Sequence, residues 1–146
     1  MQIVTGKHSG FCFGVKRAVE SALSLSGKGN YILGEIIHNE SVNEKLHRAG
    51  IVKVDSIDDP RLVRGDTLLI RTHGEKKSTF IKAREKGLNI IDCTCPFVRD
   101  IQKIVEEHYL NGYTIVIIGN GSHPEIKGIN GWCDNSAFIT DGEALP

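Results

Sequence analysis

The feature that most constrains this chain is an alternation of short β-type runs with helical apolar stripes, each helix followed by a glycine stop. Val15, Ala18, Val19 and Ala22 recur at i, i+3, i+4 and i+7, one face of a helix that should stop near Gly27. Tyr31–Ile37 reads as a strand. Asn39 is placed to cap a helix that turns Val42, Leu46 and Ala49 inward and ends at Gly50. Ile51–Val54 reads as an edge strand, residues 55–66 as a loop around Pro60, and Thr67–Ile70 as a strand. A helix over about Ser78–Lys86 with Gly87 as its stop and a strand at Asn89–Asp92 complete the pattern.

The pattern then starts again. Pro96 opens the clearest helix, with Phe97, Ile101, Ile104, Val105 and His108 on one face and Asn111-Gly112 at its end. Tyr113–Gly119 reads as a buried strand, Pro124 opens a short helix, and Ala137–Thr140 begins another strand. At the other end, Gln2–Val4 reads as a first short strand. Strands alternating with helices predict an α/β fold: parallel sheets with flanking helices. Asp92–Pro96 is the expected hinge between a first α/β unit, residues 1–92, and a second, residues 93–146. Asp141–Pro146 resembles a strand-to-helix turn without its helix, so the second unit is expected to be truncated. No internal sequence repeat is visible.

Charge narrows the partners. Lysine plus arginine equals aspartate plus glutamate at 18 each, so no whole-chain field attracts nucleic acid or an anionic membrane. Neither class of partner is expected, and an anionic small molecule has to be held by local donors. The amino terminus has no apolar targeting core, and the longest apolar run, Ile115–Ile118, is far short of the roughly 20 residues that span a bilayer. A cytoplasmic protein is expected. In that compartment cysteines point to metal binding, catalysis or buried thiols rather than disulfides. Cys12, Cys93, Cys95 and Cys133 contain no C-x-x-C pair of the zinc-ribbon kind.

The residues with chemistry fall where strands give way to helices. Cys12 precedes the first helix, His38 precedes the Asn39 cap, His73-Gly74 follows a strand, and Cys95 and His123 stand directly before Pro96 and Pro124. Open α/β sheets bind ligands beyond the carboxyl ends of their strands. Helix N-termini there offer unpaired N–H groups and a positive dipole end, which favour anions and thiolates. Each residue also has a plainer role. A cysteine is often a small buried hydrophobe, a histidine before a helix often only a cap, and Glu125 suits a first helical turn in any case. Lys76, Lys77, Lys82, Arg84 and Lys86 read as a solvated helix face, His8, His47 and His108 as structural, and Cys133 beside Trp132 as a packed thiol.

Five segments together resemble the LytB-type iron–sulfur reductases: Ser9–Val15 (SGFCFGV), Glu35–Asn39 (EIIHN), Thr72-His-Gly74, Asp92–Pro96 (DCTCP) and Gly121–Glu125 (GSHPE). Their order and approximate spacing match, and the resemblance covers the whole chain. It implies reductive removal of the allylic hydroxyl of 4-hydroxy-3-methylbut-2-enyl diphosphate, in the non-mevalonate route to isopentenyl and dimethylallyl diphosphates. It also implies a fold of three similar α/β units around a 4Fe-4S cluster held by three cysteines. Cys12 and Cys95 match two of those ligands. The third ligand and the third unit lie beyond residue 146, so the isolated chain is expected to be inactive. The resemblance places His38, His73 and His123 around the diphosphate, makes Glu125 the proton source, leaves Cys93 a bystander, and implies ferredoxin or flavodoxin as electron donor. Two other readings stand beside it: an inactive fragment without a cluster, and a small metal- or thiol-binding module built on Cys93 and Cys95.

Overall fold

The computed structural model describes residues 2–7, 9–25, 27–37 and 39–142. Among them the element order is α1 (Phe13–Leu23), β1 (Asn30–Leu33), α2 (Glu40–Arg48), β2 (Val52–Val54), β3 (Thr67–Ile70), α3 (Lys77–Glu85), β4 (Asn89–Asp92), α4 (Pro96–Leu110), β5 (Val116–Ile118), α5 (Pro124–Asn130) and β6 (Phe138–Thr140).

All strand pairing is parallel. The first four strands form one sheet in the order β2-β1-β3-β4, with Leu33 opposite Val54 and Ile70, and Ile70 opposite Asp92. Alternation along the strands divides two cores. Ile32 and Leu69 face one way, onto Ala18 and Ala22 of α1 and Val42 and Leu46 of α2. Leu33, Leu68 and Ile70 face the other way, onto Phe80 and Ala83 of α3. The connection leaving β1 therefore covers one face and the connection leaving β3 the opposite face. The carboxyl ends of β1 and β3 form the topological switch point of the sheet. Thr72 Oγ1 donates to the Ile36 carbonyl at 3.2 Å, tying together the two loops that leave that point.

β5 and β6 make a second, two-stranded parallel sheet. The order α1-β1-α2-β2 thus recurs as α4-β5-α5-β6, a repeat of architecture that the sequence does not display as repeated residues. Val98, Val105, Ile129 and Cys133 form its core, and Trp132 packs against both this core and that of α3.

Five expectations need correction, the first being that Ala49, the C-cap of α2, is exposed and not turned inward with Val42 and Leu46. Gln2–Val4 forms no strand: Ile3 and Val4 are 78% and 83% exposed, and no described strand lies alongside to pair with them. β1 ends at Leu33 rather than Ile37, because Gly34 has φ +74° and the Arg71 guanidinium lies where a side chain would project. β5 is three residues long and exposes Val116 and Ile118, since helices cover only one face of its small sheet. On α4 the buried stripe is Val98, Gln102 and Val105, whereas Phe97, Ile101 and Ile104 are 70%, 42% and 55% exposed and His108 is also exposed. The helix seats a polar residue at 102 because Gln102 meets the loop after β3, a constraint that apolar spacing does not reveal.

Candidate functional site

Two cysteines stand at N-caps. Cys12 caps α1 and Cys95 caps α4, where Pro96 occupies the first helical position. Their carbonyls accept the first helical bonds, from Lys16 N at 3.0 Å and Arg99 N at 2.9 Å. Neither sulfur makes a capping hydrogen bond, so both remain available to a ligand.

The two helix starts meet. A Cβ built on Gly14, in the first turn of α1, would lie 3.7 Å from Cys95 Sγ, so the absent side chain leaves space before that sulfur. Phe13 and Phe97, from the same two turns, make an edge contact with ring centroids 6.5 Å apart. Arg17 of α1 donates to the Thr94 carbonyl at 3.0 Å. Cys12 is exposed and Cys95 half-buried.

Cys95 is joined in turn to the β3 loop. Beyond Asp92 the chain keeps following β3, with Cys93 N bonded to the Ile70 carbonyl at 3.0 Å and Cys95 N to the Thr72 carbonyl at 2.9 Å. Cys95 therefore lies beside Thr72-His73-Gly74. The His73 imidazole meets that of His123 edge-on, with centroids 5.6 Å apart. His123 is the N-cap of α5, and its Nδ1 accepts the Glu125 backbone N–H at 3.2 Å. That bond leaves the proton of the neutral ring on Nε2, a donor turned away from the helix. Glu125 is half-buried in the same first turn. The helix starts that carry Cys12 and Cys95, the Thr72–Gly74 loop and the His73–His123 pair thus adjoin one another in turn, with Glu125 adjoining His123. His38 and His8 lie outside the described residues.

The 93–95 turn sends its two sulfurs apart. Cys93 is 2% exposed within the core of α1 and α2, while Cys95 packs toward the core of α4 and α5. Burial pushes the Cys93 thiol up, against the pull of the Arg17 charge, and so favours the protonated form that does not bind metal. This disfavours a metal module built on Cys93 and Cys95. Cys133 is fully buried, with its sulfur 3.2 Å from the Asn130 carbonyl. No group of three or more His, Cys, Asp or Glu side chains among the described residues is arranged to hold a single metal ion. Two open thiols at converging helix starts, with space before one of them, suit part of a thiolate-held cluster rather than a closed mononuclear site.

Sequence reasoning passed over Gly14, Gln102 and Trp132. Gly14 carried a signal, a glycine inside the first turn of a helix. Trp132 is the chain's single tryptophan, and nothing local marked its partner.

Residues 3–145 match the family model described as LytB protein. The chain belongs to the LytB family. Among curated LytB relatives, a protein from Caldanaerobacter subterraneus subsp. tengcongensis named 4-hydroxy-3-methylbut-2-enyl diphosphate reductase is 46% identical, over 100% of this chain and 54% of that protein. One of the same name from Thermoanaerobacter sp. is 44% identical, over 97% and 50%. A solved structure, the E-1-hydroxy-2-methyl-but-2-enyl-4-diphosphate reductase from Plasmodium falciparum, superposes with TM-score 0.85 at 29% identity, covering 96% of this chain and 46% of that one. Another, the (E)-4-hydroxy-3-methyl-but-2-enyl diphosphate reductase described as the terminal enzyme of the non-mevalonate pathway, gives 0.78 at 36% identity over 98% and 51%. The LytB chain spans about half the length of the relatives it matches. None of its described helices is long and apolar enough to cross a membrane.

Proposed function

We propose that this chain contributes part of the active centre of a 4-hydroxy-3-methylbut-2-enyl diphosphate reductase, which replaces the allylic hydroxyl of its substrate with hydrogen. Two electrons and two protons enter, and water and a mixture of isopentenyl and dimethylallyl diphosphates leave. The observation that carries this reading is that the Cys12 and Cys95 helix starts adjoin each other and the Thr72–Gly74 loop, whose His73 meets His123.

On this reading Cys12 and Cys95 would be two of the cysteines that hold a 4Fe-4S cluster, whose third cysteine is not among these 146 residues. When bound, that group supplies electrons and a Lewis-acidic iron. The remaining work belongs to the chain's own side chains. His123 offers its Nε2–H to the diphosphate, His73 approaches from the adjoining ring, and His38 joins them by resemblance. Imidazoles and helix N-termini meet the substrate's charge without an arginine. Glu125 holds the proton that converts the departing hydroxyl to water. Residues 1–92 and 93–146 are read as a first α/β unit and part of a second. Four free thiols suit a reducing, cytoplasmic setting, and ferredoxin or flavodoxin is the proposed electron donor.

The test joins this chain to the remaining half of the 46%-identical relative. Anaerobic reconstitution with iron and sulfide, followed by absorption and electron paramagnetic resonance, is expected to show a cluster. Cys12→Ser should abolish it. Glu125→Gln should keep the cluster and lower turnover on the order of 10²-fold or more. A folded, cluster-bearing chimera that does not reduce the allylic diphosphate would overturn the proposal.

A further inference from the structure

We propose that Trp132 is a positioning residue for the His73–His123 pair, holding the β3 loop against helix α5 through the Glu75 carbonyl; this rests on the reading of those imidazoles as diphosphate ligands. The Trp132 indole Nε1–H donates to the Glu75 carbonyl oxygen at 3.0 Å, across 57 residues of sequence. Helix α5 therefore touches the 73–76 loop near both of its ends. His123, its N-cap, meets the His73 ring at 5.6 Å, and Trp132, just past its C-cap, holds Glu75. Between them Gly128 lies so close that an added Cβ would be 3.4 Å from the Gly74 carbonyl oxygen.

The loop has little freedom to escape this grip. Gly74 has φ +73°, and a Cβ there would come within 2.5 Å of Gln102 Nε2 and 3.0 Å of Thr94 Cγ2. The Gln102 amide also reaches the Glu75 carbonyl, at 3.5 Å, and the Glu75 carboxylate is paired with Arg71 at 2.9 Å. Phe80 of α3 packs on the Trp132 ring with centroids 6.1 Å apart, fixing the direction of the indole N–H. A seven-residue helix held at both ends transmits its position as a rigid body, so the separation of the two imidazoles follows from where Trp132 anchors Glu75. A diphosphate bridging two donors is sensitive to displacements well below 1 Å.

The test uses this 146-residue chain and needs no cluster. Trp132→Phe keeps an aromatic ring against Phe80 while removing the donor and part of the ring volume. Val105→Ala trims the same core without touching the loop and serves as control. Nuclear Overhauser contacts between the His73 and His123 ring protons, and shift changes on adding inorganic diphosphate, are the readouts. We expect the ring contact and the diphosphate response in the wild-type chain and in Val105→Ala. In Trp132→Phe the contact should be lost and the diphosphate response weakened several-fold. If Trp132→Phe does not fold, Gly131→Ala, whose Cβ would come within 2.4 Å of Lys76 Cβ and 2.8 Å of Lys76 Cα, forces the same end of α5 off the loop and should weaken the same contact. A ring contact that survives Trp132→Phe in a folded chain, or that survives Gly131→Ala where Trp132→Phe does not fold, overturns the proposal. A wild-type chain whose rings touch but ignore diphosphate counts instead against their role as ligands, and the ring contact alone then decides whether Trp132 positions them.

Discussion

Cys95 presents its sulfur to the backbone of Gly14, 3.7 Å from where a Cβ would stand, so the start of one helix forms a wall of the space before the thiol that caps another. A methyl group at position 14 fits as an ordinary contact and removes the conformational cost of glycine in a helix. Gly14→Ala is therefore expected to raise stability by up to about 1 kcal/mol in urea titrations. It should also slow alkylation of Cys95, because the added carbon screens the sulfur. Unchanged Cys95 labelling in a folded variant would mean that α1 does not cover this thiol.

Leu69 sits on central strand β3, fully buried beside Ile32 and under the α1–α2 layer. Parallel pairing on both sides leaves the backbone little room to close a cavity there. Leu69→Ala should cost about 3 kcal/mol, within the range for large-to-small core changes. A loss under about 1 kcal/mol by denaturant titration would place this side chain outside the core.

Much of the fold was legible because its signals are local. Thr67–Ile70 and Asn89–Asp92 form strands as their apolar runs suggest, and Asn39 caps α2 by accepting the Val42 N–H at 3.1 Å. Pro96 and Pro124 marked the helix starts on which Cys95 and His123 sit. What failed was whatever depended on distant partners. The inward face of α4 was misjudged because Gln102, 1% exposed, is held by a loop 27 residues away, while the richer apolar stripe at Phe97, Ile101 and Ile104 stays open. Trp132 escaped notice for the same reason. Its partner is a backbone carbonyl, which has no signature in sequence.

Asp59 and Arg61 govern the loop between β2 and β3. The Asp59 carboxylate accepts the Arg61 backbone N–H and Nε–H at 2.9 Å each, and Nη2–H at 2.7 Å. These bonds hold its pKa at about 2, below the usual 3.8. Because the folded value is depressed, the stabilisation is fully present above the unfolded value and is lost as pH falls through about 2. A carbon-detected titration of the Asp59 carboxyl should find the low midpoint, and Arg61→Ala should return it toward the ordinary range. A midpoint near 4 in the unmodified chain would show that the bonds do not persist in solution.

The cysteines offer a check on the turn that organises the site. Cys12 is exposed, Cys95 half-buried, and Cys93 and Cys133 are buried. Cys93 is further protected because burial favours its protonated thiol, which is not the nucleophile. Under mild alkylation at neutral pH, followed residue by residue by mass spectrometry, Cys12 should be modified first and Cys95 more slowly. Cys93 and Cys133 should react only on unfolding, at a rate that denaturant accelerates. Opposite directions for the sulfurs of Cys93 and Cys95 require this order, since a turn that pointed both outward would label the pair together. Labelling of Cys93 at the Cys12 rate in the folded chain would reverse the assignment of these two thiols and with it the placement of Cys95 before Gly14.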